Sequence, residues 1–201
     1  MKHFLSVLDW DRESVLELLE RAKRFVPIAK AATPKSGGNH KMTALILEKS
    51  TRTGGSYREA WELLGNRVEY ISGEDKTSLG KGESFSHTAR TKAGQGAKIL
   101  TIRAEFEGIA RWLAEMYGKY NYPTAVHNAG DGSHEHISQS FLDVLTILLR
   151  LGRLENFTIG IVGDLKNSRT VHSLVRMLSL FADVRVVLVS APEVRLQPWY
   201  T

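Results

Sequence analysis

The sequence of 201 residues contains no cysteine and no long apolar run. Without cysteine, neither a disulfide framework nor a thiolate zinc site can form. No apolar stretch approaches the roughly 20 residues that a membrane-spanning helix needs, and the N-terminus lacks the apolar core of a signal peptide. We therefore expect a cytoplasmic protein that does not contact a membrane.

Nucleotide-binding motifs are also missing. No P-loop pattern occurs, and Gly160 and Gly163 fall short of a dinucleotide fingerprint, so the sequence indicates no nucleotide cofactor. His127, His134 and His136 could ligate zinc, but they lack the carboxylate partner and the helical spacing of the known zinc motifs. We therefore expect neither a metal nor another cofactor.

The chain carries a formal net charge of +5. Its lysine and arginine residues are scattered rather than gathered in a tract, which argues against a nucleic-acid partner and suits a small anionic substrate. An ordinary, slightly basic surface would give the same charge. Hydrophobic residues make up 42% of the chain, which is typical of a packed globular protein.

Strands and helices alternate along the chain after a first helix, which the pattern ends near Pro27. Apolar runs predict strands at residues 42–47, 68–71, 98–103 and 124–127. Helical spacing predicts helices at residues 56–64, 84–93 and 108–117. This alternation is typical of an α/β fold in which a parallel sheet is flanked by helices on both faces.

A second unit begins after a long helix, predicted over residues 133–151 with Ser133 as its cap. A strand, a helix and a strand are then predicted at residues 158–162, 171–181 and 184–189. We infer a complete N-terminal domain, residues 1–150, which includes the linking helix, and the first part of a second doubly wound domain, residues 151–201. The last strand is almost entirely apolar, as in sheets covered on both faces. The two strands and one helix of this part cannot bury both faces of a sheet. We therefore expect this second part to be less stable than the first or to be held by another chain.

The candidate site is a turn rich in hydrogen-bond donors: Ser50, Thr51, Arg52 and Thr53 follow the first strand and open the next helix. A helix start leaves backbone N–H groups unpaired, and arginine adds a two-pronged donor, so an anion such as phosphate can bind there. Capping of the helix by Ser50 or Thr51 is the simpler explanation. However, ligands of open α/β sheets bind at the carboxyl ends of strands, where these residues lie.

The long helix adds polar residues after the fourth strand. His136 and Gln139 are three residues apart, so they share one side of the predicted first turn. Because this helix also follows a strand, we expect both side chains to point at the same rim of the sheet as Arg52.

Five motifs, in this order, resemble those of the aspartate/ornithine carbamoyltransferase family. They lie at residues 48–53, 77–83, 101–103, 128–139 and 163–174. The wider family shares the Ser-Thr-Arg-Thr turn. The Gly-Asp-Gly-Ser turn at residues 130–133 and the Arg-Thr-Val-His-Ser-Leu run at residues 169–174 resemble the aspartate branch rather than the ornithine branch.

The resemblance implies that the carbamoyl group of carbamoyl phosphate is transferred to the amine of L-aspartate, giving N-carbamoyl-L-aspartate and phosphate in pyrimidine biosynthesis. It implies no metal or cofactor, because phosphate is a good leaving group and catalysis rests on positioning and charge stabilisation. An ornithine-type carbamoyltransferase and a truncated carbamoyl-phosphate-binding subunit without turnover are the alternatives.

The resemblance also assigns roles to single residues. It implies that the phosphate is bound by Ser50, Thr51, Arg52, Thr53 and Arg103. It implies that the carbamoyl oxygen is polarised by the catalytic residues Arg52, Thr53 and His136, in an oxyanion-type role. By the same resemblance, Gln139 orients the carbamoyl NH₂ group, Arg169 binds the α-carboxylate of aspartate, and Glu48 supports Arg169 through a salt bridge.

Ser78 and Lys81 match a loop that, in the family, reaches into the site of the neighbouring subunit, which implies a homotrimer with shared active sites. The family's chain continues with an Arg and Gln pair for the side-chain carboxylate of aspartate and with a His-Pro-Leu-Pro loop. This sequence has neither, so a complementing C-terminal chain, as well as a regulatory chain, is considered as a partner. The sequence also departs from the family at six positions, where proline, arginine, proline, threonine, histidine and proline are usual: Lys49, Gly54, Ile137, Ser138, Ala104 and Glu105.

Overall fold

The structure is a computed structural model, and it describes residues 3–31, 38–48, 52–73 and 84–200. The helices are α1 (Arg12–Ala31), α2 (Thr53–Leu63), α3 (Phe85–Gly94), α4 (Ile109–Lys119), α5 (Ile137–Leu151) and α6 (Arg169–Leu178). The strands are β1 (Lys41–Ile46), β2 (Arg67–Ser72), β3 (Ala97–Ala104), β4 (Ala125–Asp131), β5 (Phe157–Val162) and β6 (Val184–Val189). Short 3-10 helices lie at Val7–Asp9, Pro192–Val194 and Pro198–Tyr200.

The described residues form two compact units. The first contains Met1–Leu5 and Val26–Asp131, and the second contains Ser6–Phe25 and Gly132–Thr201. The division into functional domains at residues 1–150 and 151–201 stays a prediction.

The first unit is built on a sheet of four parallel strands in the order β2-β1-β3-β4. Alternate residues of β1 enter different apolar clusters. Met42, Ala44 and Ile46 pack against Tyr57 and Trp61 of α2. Leu45 belongs to the cluster formed with residues of α3 and α4, which include Ala89, Leu113 and Tyr117. Helices therefore cover both faces of the sheet, and the predicted α/β fold with a parallel sheet is confirmed.

The second unit contains two parallel strands, β5 and β6, and the helix α6. Burial alternates along both strands, because one side packs on Leu165, Val171 and Val175. The other side is open, and Val162 there is 76% exposed and Val189 50% exposed. The apolar pattern of β6 is that of a strand covered on both faces, but the described residues offer cover for one face. The lower stability expected for this part of the chain stays a prediction.

The predicted helix boundaries differ most from the structure at the end of α1 and at the start of α5. Helix α1 continues through Pro27 to Ala31. Proline removes one backbone donor, but Pro27 is exposed, so the carbonyl group left without that bond can be hydrated. Helix α5 begins at Ile137 and not at Ser133. Strand β4 extends to Asp131, and the residues between β4 and α5 are hydrogen-bonded to α6.

In the described ranges, no helix combines the length and the apolar character that crossing a membrane requires. Within the same ranges, no group of three or more His, Cys, Asp or Glu side chains is arranged to hold a metal ion.

Candidate functional site

The N-terminus of α2 follows the carboxyl end of β1. Arg52 is the N-cap residue of α2, its side chain makes no capping hydrogen bond, and it is exposed. Thr53 is the first residue of the helix and is half-buried. The first-turn N–H groups of a helix carry partial positive charge, so this end of α2 can accept an anion.

Arg103 lies beside this helix start. It is near the carboxyl end of β3, where it pairs in register with Ile46 of the neighbouring strand β1. Its guanidinium is largely buried, and its Nη1 atom donates to Thr53 Oγ1 at 3.0 Å. Two cationic or polar donors from different elements are therefore held at one edge of the sheet.

Glu48 completes this group. Arg103 Nη2 donates to Glu48 Oε1 at 3.1 Å, and the side chains are 10% and 24% exposed. The backbone of the turn is also tied to β3, because Leu47 N donates to the carbonyl oxygen of Arg103 at 2.8 Å. The carboxylate thus fixes the orientation of the guanidinium, whose planar fork suits phosphate oxygens. The implied salt bridge between Glu48 and Arg169 stays a prediction.

The second unit carries His136 as the N-cap residue of α5. Its backbone N–H donates to Ser173 Oγ at 2.8 Å, and its ring Nδ1 lies 3.2 Å from Ser138 Oγ. When Ser138 donates to Nδ1, the hydrogen of the neutral ring is on Nε2, from which it can be donated to an oxygen atom. As the N-cap residue, His136 lies one residue before the helix. The sequence analysis predicted it in the first turn, and that prediction is wrong.

Gln139 lies in the first turn of α5. Its Nε2 donates to Asp143 Oδ1 at 2.9 Å, which leaves Oε1 as an acceptor. Burial raises the pKa of Asp143, and the hydrogen bond from Gln139 opposes this rise. An amide held in this way presents its oxygen to a donor such as an NH₂ group.

Arg169 is the first residue of α6 and is half-buried. Its Nη1 donates to the carbonyl oxygen of Gly132 at 2.8 Å. Four of the predicted site residues lie outside the described ranges: Ser50, Thr51, Ser78 and Lys81.

The structure thus brings Glu48, Thr53 and Arg103 together in the first unit. It places His136 and Arg169 in the second unit, where His136 N–H donates to Ser173 and Arg169 donates to Gly132. Sequence reasoning missed Ser173 and Ser138, although both lie inside the motifs quoted for the resemblance. Ser173 contacts His136 through tertiary packing, and Ser138 contacts it because α5 begins between the two residues. Sequence spacing predicts neither contact.

Comparisons with known proteins identify the family of this chain. A family model described as the carbamoyl-P binding domain of aspartate/ornithine carbamoyltransferase matches residues 2–148. The sequence is 40% identical over 197 residues to the aspartate carbamoyltransferase catalytic subunit of Methanocaldococcus jannaschii, with 98% of this chain and 62% of that protein covered. It is 38% identical to the corresponding subunit of Archaeoglobus fulgidus, with 98% and 64% covered.

Solved structures give the same result. The catalytic subunit of M. jannaschii aspartate transcarbamoylase superposes with a TM-score of 0.88 at 37% identity, covering 100% of this chain and 64% of that one. Aspartate transcarbamoylase from Trypanosoma cruzi, in complex with carbamoyl phosphate and aspartate, gives a TM-score of 0.89 at 29% identity, covering 99% and 61%. The chain spans less than two thirds of the length of these relatives.

The family match covers residues 2–148 and includes the Ser-Thr-Arg-Thr turn within residues 48–53, which the wider family shares. The predicted resemblance is therefore confirmed, and the chain belongs to the aspartate/ornithine carbamoyltransferase family.

Proposed function

We propose that this chain binds carbamoyl phosphate and takes part in transferring its carbamoyl group to L-aspartate, with N-carbamoyl-L-aspartate and phosphate as products. The relatives described above are aspartate carbamoyltransferases, and the T. cruzi enzyme was solved with both substrates. The family match supports the carbamoyl-phosphate part directly, because the matched model is the carbamoyl-P binding domain.

The contact between Arg103 and Thr53 carries this proposal. A buried guanidinium and a hydroxyl lie 3.0 Å apart at the start of α2, where the helix also offers backbone N–H groups. The phosphate of carbamoyl phosphate carries the negative charge that such donors bind. We assign it to this place, with Arg52 and the turn residues Ser50 and Thr51 as further donors.

The chemistry needs charge stabilisation more than proton transfer. The neutral aspartate amine attacks the carbamoyl carbon, and the carbonyl oxygen gains negative charge. The C–O bond to phosphate then breaks, the carbonyl group re-forms, and the proton that the amine nitrogen loses passes to the departing phosphate. Donors aimed at that oxygen lower the barrier, since they act where charge develops. We assign this role to Arg52, Thr53 and His136, and we assign the orientation of the carbamoyl NH₂ group to the side-chain oxygen of Gln139.

The aspartate part of the proposal rests on Arg169, whose guanidinium suits the α-carboxylate. We extend the proposal to a cytoplasmic homotrimer in which Ser78 and Lys81 complete the site of an adjacent subunit. Sedimentation velocity at micromolar concentration tests the assembly, because a monomer there would contradict shared sites.

Two other functions are separated by assays. Measuring carbamoyl transfer with aspartate and with ornithine distinguishes the two branches, and we expect aspartate alone to react. If neither amino acid reacts although carbamoyl phosphate binds, the chain is a binding subunit, and adding a separate chain that carries the Arg and Gln pair should restore turnover.

The decisive experiment is calorimetric titration of carbamoyl phosphate into the wild type and into Arg52→Ala. We expect the variant to lose about 2–3 kcal/mol of binding free energy, since it loses a charge-assisted contact. Arg58→Ala is the matched control. Arg58 is also exposed and on α2, but its Nε donates to Glu62 Oε1 at 2.9 Å. We expect its affinity to stay within twofold of the wild type, and equal losses in both variants would refute the site.

A further inference from the structure

One side of α6 holds the segment of residues 132–136, which carries His136. Residues at positions i, i+3, i+4 and i+7 of a helix lie on one side, and in α6 these are Arg169, His172, Ser173 and Arg176. Each of the four contacts that segment. Helix α6 therefore holds residues 132–136 in place, although these residues form neither a helix nor a strand.

The contacts are distributed along the segment. Arg169 Nη1 donates to the carbonyl oxygen of Gly132 at 2.8 Å. His172 Nδ1 lies 2.9 Å from the carbonyl oxygen of Ser133. Arg176 Nη1 donates to Glu135 Oε1 at 3.0 Å, and Ser173 Oγ accepts from the N–H group of His136 at 2.8 Å.

The bond to Ser173 is the one that reaches His136 itself. Ser173 is completely buried and His136 is 7% exposed, so water cannot easily replace this bond. It fixes the main chain of His136, whose φ of −135° and ψ of 71° lie outside the helical region. The ring is held separately, through Ser138 at Nδ1.

We propose that Ser173 is a positioning residue for His136. This inference rests on the proposed function, in which His136 donates to the carbamoyl oxygen. Displacements of about 1 Å at such a donor can cost a hundredfold in rate, because the donor must point at the place where charge develops. Ser173 keeps the backbone of His136 in place, while Ser138, when it donates to Nδ1, leaves the ring hydrogen on Nε2.

The test uses three variants of the full chain. Ser173→Ala removes the acceptor, and Ser173→Thr keeps a hydroxyl. Ser179→Ala is the matched control, because Ser179 Oγ also bonds to a backbone group, the carbonyl oxygen of Arg176 at 2.8 Å, but is exposed. If Ser173→Ala does not fold, Ser173→Cys replaces it, since a thiol has similar size and is a weak acceptor.

Two ligands separate positioning from general damage. Calorimetry measures the affinity of each variant for carbamoyl phosphate and for inorganic phosphate, which lacks the carbamoyl oxygen. We expect Ser173→Ala to bind carbamoyl phosphate about tenfold more weakly, as the loss of a buried hydrogen bond predicts. Its affinity for phosphate should stay within twofold, Ser173→Thr should recover most of the loss, and Ser179→Ala should match the wild type.

Nuclear magnetic resonance of ¹⁵N-labelled histidine supplies a second readout that needs no ligand. Displacement of His136 in Ser173→Ala should shift or broaden its ring resonances, while those of the control stay unchanged. Equal losses for both ligands, or unchanged affinities together with unchanged His136 resonances, would overturn the inference. If the wild type binds neither ligand, the proposed function fails, and the His136 resonances alone decide whether Ser173 positions the ring.

Discussion

Replacing Arg176 by alanine should destabilise the protein by about 2–4 kcal/mol. The reason is Glu135, a carboxylate with no exposed surface. It accepts hydrogen bonds from Ser6 Oγ at 2.7 Å, from Val7 N at 2.9 Å and from Arg176 Nη1 at 3.0 Å. Of these three donors, Arg176 alone supplies a full positive charge.

The magnitude follows from what each contact contributes. Removing one partner of a buried ion pair costs about 3–5 kcal/mol when the remaining charge has no other donor. Glu135 keeps two donors, which lowers the expected cost. The guanidinium carbon of Arg176 also lies 4.6 Å from the centre of the Tyr200 ring, a cation–π contact of about 0.5–1 kcal/mol that the variant loses. The expected loss of stability for Arg176→Ala is therefore about 2–4 kcal/mol.

Equilibrium unfolding in urea measures this cost, with Arg21→Ala as the matched control. Arg21 pairs with Glu17 at 3.0 Å on α1, but both side chains are about two-thirds exposed. Its removal should cost less than about 0.5 kcal/mol. Adding Glu135→Gln to Arg176→Ala should recover part of the stability, since the uncompensated charge disappears. Similar losses for both arginines would refute the reasoning.

Three further predictions concern other parts of the chain. Gly54→Ala should lower the stability, because a Cβ atom there would lie 2.2 Å from the Tyr70 hydroxyl, and Tyr70→Ala should relieve the loss in urea unfolding of the double variant. Burial, together with nearby His3, lowers the pKa of His127 to about 4. As the pH is lowered, His127 therefore binds a proton at a higher pH in the unfolded chain than in the folded chain. Stability should fall by about 3 kcal/mol between pH 6.5 and pH 4. Urea unfolding at each pH measures this fall, and an equal fall in stability for His127→Gln would contradict the prediction. Amides of residues 157–189 should exchange faster with deuterium than those of β1 and β3, because one face of β5 and β6 is open, and strong protection there would refute the expectation.

Much of the first unit was predictable because its signals are local. Apolar runs and helical spacing indicated the alternation of strands and helices, and alternation of this kind requires parallel strands whose carboxyl ends share an edge. The family resemblance implied that Thr53, after β1, and Arg103, near the end of β3, belong to one site, and the predicted sheet is consistent with this. The structure places their side chains 3.0 Å apart.

Other features could not be predicted, because residues distant in sequence decide them. The pattern did not report that β1 lies between β2 and β3. Ser133 looked like a helix cap, but its carbonyl oxygen faces His172, 39 residues further along, and α5 begins at Ile137 instead. Likewise, Pro27 looked like a helix end, but its exposed position allows α1 to continue.

The sequence by itself determined the family and the α/β class, and it supplied the candidates for the proposed anion site, because motifs and periodicity depend on residues that are close in the chain. The tertiary structure decided which groups support them. Glu48 meets Arg103 across 55 residues, and Ser173 meets His136 across 37. Contacts at such separations form when packed elements bring them together, and the spacing of residues along a chain contains no record of that packing.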